Sequence, residues 1–432
     1  TIANGKRYNG GGMTLYDSNI NITNVEITNC SSCPIVGTDS GGIWGGDNCG
    51  QGGGVYMEYS APTFNNVSIN NNTAKEAANL DQDCSGGGGG GGIYAYMSNP
   101  AFINSTISNN LSNFRGGGVG LRNSSATFSN VDIVDNEVNA DLCGEFDGYF
   151  SNTGGSAVGV YIDTDEAFQQ ETILIQNSNI LGNIAPLSAF YISLAGGQYN
   201  PIPNNEFWSP PKLIIENSTI ASNQSIYKSI FSGPYIEMTN VDLYNNASSA
   251  VQEDWVGAFE IQDRAIFNNI TFVNNYLDDG TIFSTLRDPL YEDIWGTSVD
   301  LFVTNSIFYD NTSTFEGNIM AVPTIQWNGG GEIYSLAHNY IINNSLIDSR
   351  NLCQEEGLSS CTQNINHNNI DATLYLNNSI DENPLFVNPT NADYNLLAES
   401  PCIDTGISTF NWEGEAIINL SSQDYNGIAP DM

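Results

Sequence analysis

Residues 101–110 read Ala-Phe-Ile-Asn-Ser-Thr-Ile-Ser-Asn-Asn, and the placement of Phe102, Asn104, Ile107 and Asn110 within them recurs along the chain. An apolar residue stands two positions before an asparagine, another stands three after it, and a further asparagine usually follows three residues on. The first asparagine of the pattern is Asn24, Asn66, Asn104, Asn130, Asn177, Asn217, Asn240, Asn269, Asn305 and Asn344. Ten matches with both apolar slots filled are not a chance outcome in a sequence that is 40% hydrophobic, so an internal repeat organises the chain.

Side chains on one face of a strand are an even number of residues apart, yet the two apolar slots are five apart. The backbone must therefore turn between them. Asparagine tolerates the left-handed conformation better than other non-glycine residues, which predicts two short strands joined at an asparagine corner. The second asparagine (Asn72, Asn110, Asn136, Asn183, Asn223, Asn246, Asn275 or Asn311) is expected to mark the next corner, with Cys30 and Arg350 replacing it in the first and last repeats. A third strand follows glycines in GGGMTLY from Gly10, GGGVYMEY from Gly52, GGGIYAYM from Gly90, GGGVGLRN from Gly116 and GGSAVGVYID from Gly154.

Three short strands per rung, stacked rung on rung, predict an all-β chain folded as a right-handed parallel β-helix, a solenoid with asparagine corners and long loop insertions. A β-sandwich also uses many short strands and glycine-rich turns, but it has no reason to repeat one corner residue ten times. No linker divides the chain, so 1–432 is read as a single β-helix domain, with repeat rungs over 1–380 and C-terminal rungs and a cap segment over 381–432.

Forty-eight acidic against ten basic residues give a net charge of −38, which argues against nucleic acid and other polyanions as partners and favours cations. No required cofactor is indicated, although calcium suits such a surface. No apolar run reaches membrane-spanning length. The chain starts at Thr1 and reads as a processed or trimmed piece. Fifteen Asn-x-Ser/Thr sequons occur, many of them by-products of the repeat. The eight cysteines do not match a zinc spacing. Loop disulfides are expected instead: Cys353 with Cys361, Cys33 with Cys49, and Cys84 with Cys143. Cys30 in the asparagine slot and Cys402 in an apolar segment are expected to be buried free thiols. This usage points to an oxidising, extracellular setting.

The tail reads NPLFVNPTNADYNLLAESPCIDTG from Asn383 and DYNGIAPDM from Asp424. These strings resemble the last rungs of secreted bacterial right-handed β-helix proteins of the pectate-lyase-like superfamily. The GGG-Val/Ile-Tyr segments and asparagine corners resemble polymorphic outer-membrane-protein and adhesin-type repeats. The resemblance covers nearly the whole chain and implies a secreted or cell-surface protein, with the type IX secretion pathway as an export route. It implies no single activity, because the superfamily holds lyases, hydrolases, adhesins and structural proteins.

Polygalacturonase-like members bind the acid groups of their substrate through a histidine and an Arg-x-Lys segment. This sequence has neither that segment nor Gly-His-Gly. The outward positions of the glycine-led strands carry Tyr16, Tyr56, Glu58, Tyr94, Tyr96, Arg122, Tyr161 and Asp163. Aromatic rings beside a few polar groups on a flat sheet suit sugar stacking, while lateral stacking of neighbouring outward side chains would serve the scaffold alone. Glu58 and Asp163, with Arg122, are the candidates for acid–base work should the sheet be catalytic, as a polysaccharide lyase or glycoside hydrolase. Asp81, Asp83, Asp163 and Asp165 are candidate calcium ligands in acidic loops, whose bland reading is solvated charge. The expectation from sequence is therefore a structural or adhesive extracellular protein that contacts a glycan or a surface protein through the tyrosine-rich sheet and the loops, with assembly between chains as a further expectation.

Overall fold

The computed structural model describes residues 1–32, 50–74, 89–113, 116–139, 158–163, 171–185, 190–195, 211–225, 230–249, 256–278, 280–284, 299–313, 320–321, 337–348 and 371–432. They form a parallel β-helix. The chain divides into two compact units, Thr1–Leu213 with Ser222–Gly233, and Ile214–Ala221 with Pro234–Met432.

In the first unit the glycine-led strands Met13–Tyr16, Val55–Glu58, Ile93–Tyr96, Val119–Arg122 and Val158–Asp163, followed by Phe190–Ala195, stack parallel and in register. The strands flanking each corner stack likewise, so that Phe102 aligns with Phe64 and Phe128, and Ile107 with Ile69 and Ile133. These residues are fully or almost fully buried, and the rings of Phe64, Phe102 and Phe128 lie parallel at 4.8 and 5.2 Å. Burying each ring contributes about 1.5–3 kcal/mol.

All ten corner asparagines adopt the left-handed conformation, with φ from 47° to 57°. At exposed corners the amides bond from rung to rung, as from Asn130 Nδ2 to Asn104 Oδ1 at 2.7 Å, whereas Asn305 and Asn344 are buried. Asn378 forms an eleventh corner at φ 49°. It lacks the trailing apolar residue, because Asp381 stands in that slot, and so escapes the pattern.

The second asparagine does not itself make the turn expected of it. The residue before it does: Asn71, Asn109, Asp135, Gly182, Ser222, Asn245, Asn274 and Asp310 all have φ between 52° and 65°. That turn swings the second asparagine inward, where Asn72, Asn110, Asn136, Asn183 and Asn223 are 0–1% exposed. Each amide is then fully used. Asn136 Nδ2 donates to Asn183 Oδ1 at 3.0 Å and to the Ile107 carbonyl at 2.9 Å. Its Oδ1 accepts from the N–H and Nδ2 of Asn110 at 3.1 and 2.9 Å. The same ladder joins Asn246, Asn275 and Asn311 in the second unit. A strand of two or three residues after each such asparagine, such as Thr73–Ala74 or Leu111–Ser112, and Ser31–Ser32 after Cys30, adds a fourth parallel stack to the three strands expected.

The glycine triplets make room for this ladder. A Cβ on Gly53 would sit 2.3 Å from the Gly91 carbonyl oxygen, and one on Gly92 would sit 2.9 Å from Asn110 Nδ2. Cys30, at the head of the ladder, is a buried free thiol as expected, and so is Cys402. Cys33, Cys49, Cys84, Cys143, Cys353 and Cys361 lie outside the described residues.

In the second unit Phe259, Phe267, Phe272, Phe283 and Phe308 fill the interior. Residues 381–432 do not continue as parallel rungs. They form two antiparallel hairpins, Phe386–Asn388 with Asp393–Leu396 and Thr409–Trp412 with Glu415–Asn419. The physical reason is an apolar outer face: Val273, Ile307 and Leu346 point away from the helix interior, and Phe386, Cys402 and Met432 cover them. Phe410 and Trp412 cover the outward Phe302 in the same way. The tail also captures two corner amides, Asn305 Nδ2 donating to the Ile407 carbonyl and Asn344 Nδ2 to that of Thr405.

The two kinds of asparagine should differ sharply on substitution. Asn136→Ala strands the donors of Asn110 and the Ile107 carbonyl, and is expected to cost about 2–4 kcal/mol. Asn130→Ala, at an exposed left-handed corner, should cost about 1 kcal/mol, and Asn130→Gly less. Urea unfolding of the three variants checks the order, and equal losses at positions 130 and 136 would contradict the ladder.

Candidate functional site

Alternation on the glycine-led sheet sends Leu15, Val55, Met57, Ile93, Ala95, Val119 and Leu121 inward, and all are buried. The residues between them face outward in two columns. In-register pairing aligns Thr14, Tyr56, Tyr94, Gly120 and Gly159 in one column, and Tyr16, Glu58, Tyr96, Arg122 and Tyr161 in the other. Alignment and fixed strand spacing are what bring these side chains together.

The first column is packed. Tyr56 and Tyr94 stack with ring centres 6.0 Å apart at an interplanar angle of 4°. Tyr94 then lies against Gly120, which has no side chain to displace it, and is only 8% exposed. Outward direction in the pleat therefore does not make Tyr94 a free surface. Tyr56 donates its hydroxyl proton to Glu58 Oε2 at 2.9 Å. Burial first, and then the neighbouring carboxylate, push the Tyr56 phenol well above its ordinary range.

The second column is exposed at Tyr16 and half-buried at Glu58, Tyr96 and Arg122. Tyr16 is 64% exposed. Tyr59, the left-handed corner residue that follows Glu58, is 47% exposed. Its ring meets Tyr16 edge-on at 6.1 Å and 86°, and Tyr96 at 5.9 Å and 63°. The Arg122 guanidinium lies 5.3 Å from the Tyr96 ring centre, in cation–π contact. The stripe reading did not find Tyr59, because it falls one residue beyond the strand, at a corner. Asp17, Tyr59, Met97 and Asn123 share that left-handed corner, and each precedes a serine of the stacked set Ser18, Ser60, Ser98 and Ser124. That repeating serine was the available signal.

The candidate acid–base pair is not brought together. Glu58 aligns with Tyr96, Tyr96 with Arg122, and Arg122 with Tyr161, so Glu58 and the strand carrying Asp163 are three strand spacings apart, about 14 Å. Paired glycosidase carboxylates stand about 5–9.5 Å apart. The backbones of Tyr161 and Asp163 are placed, and their side chains lie outside the described residues, as do Asp81, Asp83 and Asp165 entirely. Among the described residues no group of three His, Cys, Asp or Glu side chains is placed to hold a metal ion, and no helix is long and apolar enough to cross a membrane.

No protein-family model matches the sequence, and neither a curated protein nor a solved structure gives a significant match.

The phenol of Tyr56 gives this geometry a pH signature. Its proton is held more tightly in the folded state than in the unfolded chain, where tyrosine titrates near pH 10. The stability it contributes is thus fully present below about pH 10 and is lost as the pH rises above it. Ultraviolet titration of the folded protein should show a late-ionising tyrosine that is missing in Tyr56→Phe. Identical curves for the two proteins would refute the buried bond to Glu58.

Proposed function

We propose that the chain is a secreted or cell-surface β-helix with a structural or adhesive role, which contacts a glycan through the second tyrosine column of its glycine-led sheet. The observation that carries this reading is the trio Tyr16, Tyr59 and Tyr96, in which Tyr59 meets each of the other two in edge contact on a parallel sheet, with Tyr16 and Tyr59 widely exposed. An exposed ring adds little to the solenoid interior, and the Tyr56–Tyr94 pair beside it already supplies lateral packing. Rings with one apolar face free and a hydroxyl at the tip are suited to stacking on sugar rings. Glu58 and Arg122 frame the rings with one acceptor and one donor group.

The extracellular setting is supported by the resemblance of the terminal strings to secreted bacterial β-helix proteins of the pectate-lyase-like superfamily, and by the acidic composition. A binding role rather than polysaccharide cleavage is supported by the strand separation of Glu58 and Asp163.

Retention of the purified chain on a panel of insoluble polysaccharides tests the reading. Tyr16→Ala and Tyr59→Ala are each expected to weaken retention about tenfold, a loss of about 1.4 kcal/mol, while the melting temperature stays unchanged. A panel on which nothing is retained, or retention indifferent to both substitutions, would reject the assignment.

A further inference from the structure

We propose that the glycan taken by this face is a cationic one, a chain of amino sugars with free amines, and that its ammonium groups enter the niche between Tyr16 and Tyr96 above Glu58. The inference rests on the glycan reading and narrows it. Tyr16 and Tyr96 are aligned on either side of Glu58, so their strands stand two spacings apart, about 9.6 Å. Tyr59 closes the corner end of the gap, edge-on to both rings. Glu58 is thus aligned between the strands of Tyr16 and Tyr96, with Tyr59 next to it in the chain.

Two observations indicate a cation. Tyr96 already holds one on its far side, the Arg122 guanidinium aligned on the following strand. Its other side looks toward Glu58 and the gap. The carboxylate is held in place by the Tyr56 hydroxyl at Oε2. Aromatic faces and a fixed carboxylate together attract an ammonium group, and a ring edge-on to both flanking rings limits the space to a compact one. Charge complementarity acts in the same direction: Asp17 stands exposed at the corner beside Tyr59, and the whole chain carries −38. A uronate would meet repulsion at the same place, and a neutral sugar would leave the carboxylate without a counter-charge.

Glucosamine oligosaccharides and the same oligosaccharides N-acetylated differ only in the charge on nitrogen, and calorimetric titration with each at about pH 6, in fixed salt, separates the readings. The free-amine oligomer is expected to bind about tenfold more tightly than the acetylated one. Glu58→Gln should abolish that preference, weakening the free-amine oligomer about tenfold more than the acetylated one. Equal binding of the two oligomers, weakened by Tyr16→Ala, would overturn the cationic niche and leave the glycan reading standing. A preference that survives Glu58→Gln would assign it to the net charge of the chain and also overturn the niche. No binding of either oligomer, on a protein that retains no other polysaccharide, would overturn both.

Discussion

A carboxamide buried in one rung after another imposes the strictest requirement in this protein. Inside the helix Asn72, Asn110, Asn136 and Asn183 are removed from water, and an unmet amide there would cost about 1–3 kcal/mol per group. Each donates to the asparagine of the next rung and to the main chain of the previous one, and its oxygen accepts from the residue before it in the ladder. Exact register between rungs is therefore an energetic demand and not merely a consequence of parallel pairing. The left-handed residue before each asparagine aims the side chain inward, and the glycine triplet opposite leaves space for the amide. Cys30 obeys the same logic at the head of the ladder. Gly5 occupies the equivalent place in the preceding turn and has no side chain to donate, so an asparagine oxygen at position 30 would lack one of its two donors. A thiol asks for none.

The two asparagine positions were unequally legible for a physical reason. The offset of five between apolar slots requires a turn beside the first asparagine, and the left-handed geometry of all ten follows. Nothing comparable constrains the second. In Asn71-Asn72 or Asn109-Asn110 either residue could bend, and only Asp135, Gly182, Ser222 and Asp310, which hold the bend where no asparagine precedes the ladder, hint that the earlier position does so. The tail was misplaced because its strings were read by likeness to other rungs. Glu413-Gly414, both at positive φ between Trp412 and Glu415, is a two-residue hairpin turn with its own chemistry, and that local signal outweighs the likeness. The outward apolar residues Phe302, Ile307 and Leu346 carried the complementary message: a face that needs cover.

For the candidate site, alternation separates inward from outward positions but does not distinguish a covered ring from a partly exposed one. Tyr94 and Tyr96 are equivalent in pattern. They differ because Tyr94 is followed by Gly120 in its column and Tyr96 by Arg122. The neighbour one strand away decides exposure, and that neighbour is 26 residues away in sequence.

Register also limits what chemistry such a face can perform. Because the amide ladder locks the rungs, outward groups in one column are separated by whole strand spacings, about 4.8 Å each. Two carboxylates could cooperate in hydrolysis only from neighbouring strands or from strands one apart. In the column through Glu58 those places are taken by Tyr16, Tyr96 and Arg122. Aromatic rings alternating with single charges offer polarised surfaces and a fixed counter-charge, and set no second carboxylate beside Glu58 among the described residues of this column. The constraint that stabilises the scaffold thus also fixes which outward groups can act together.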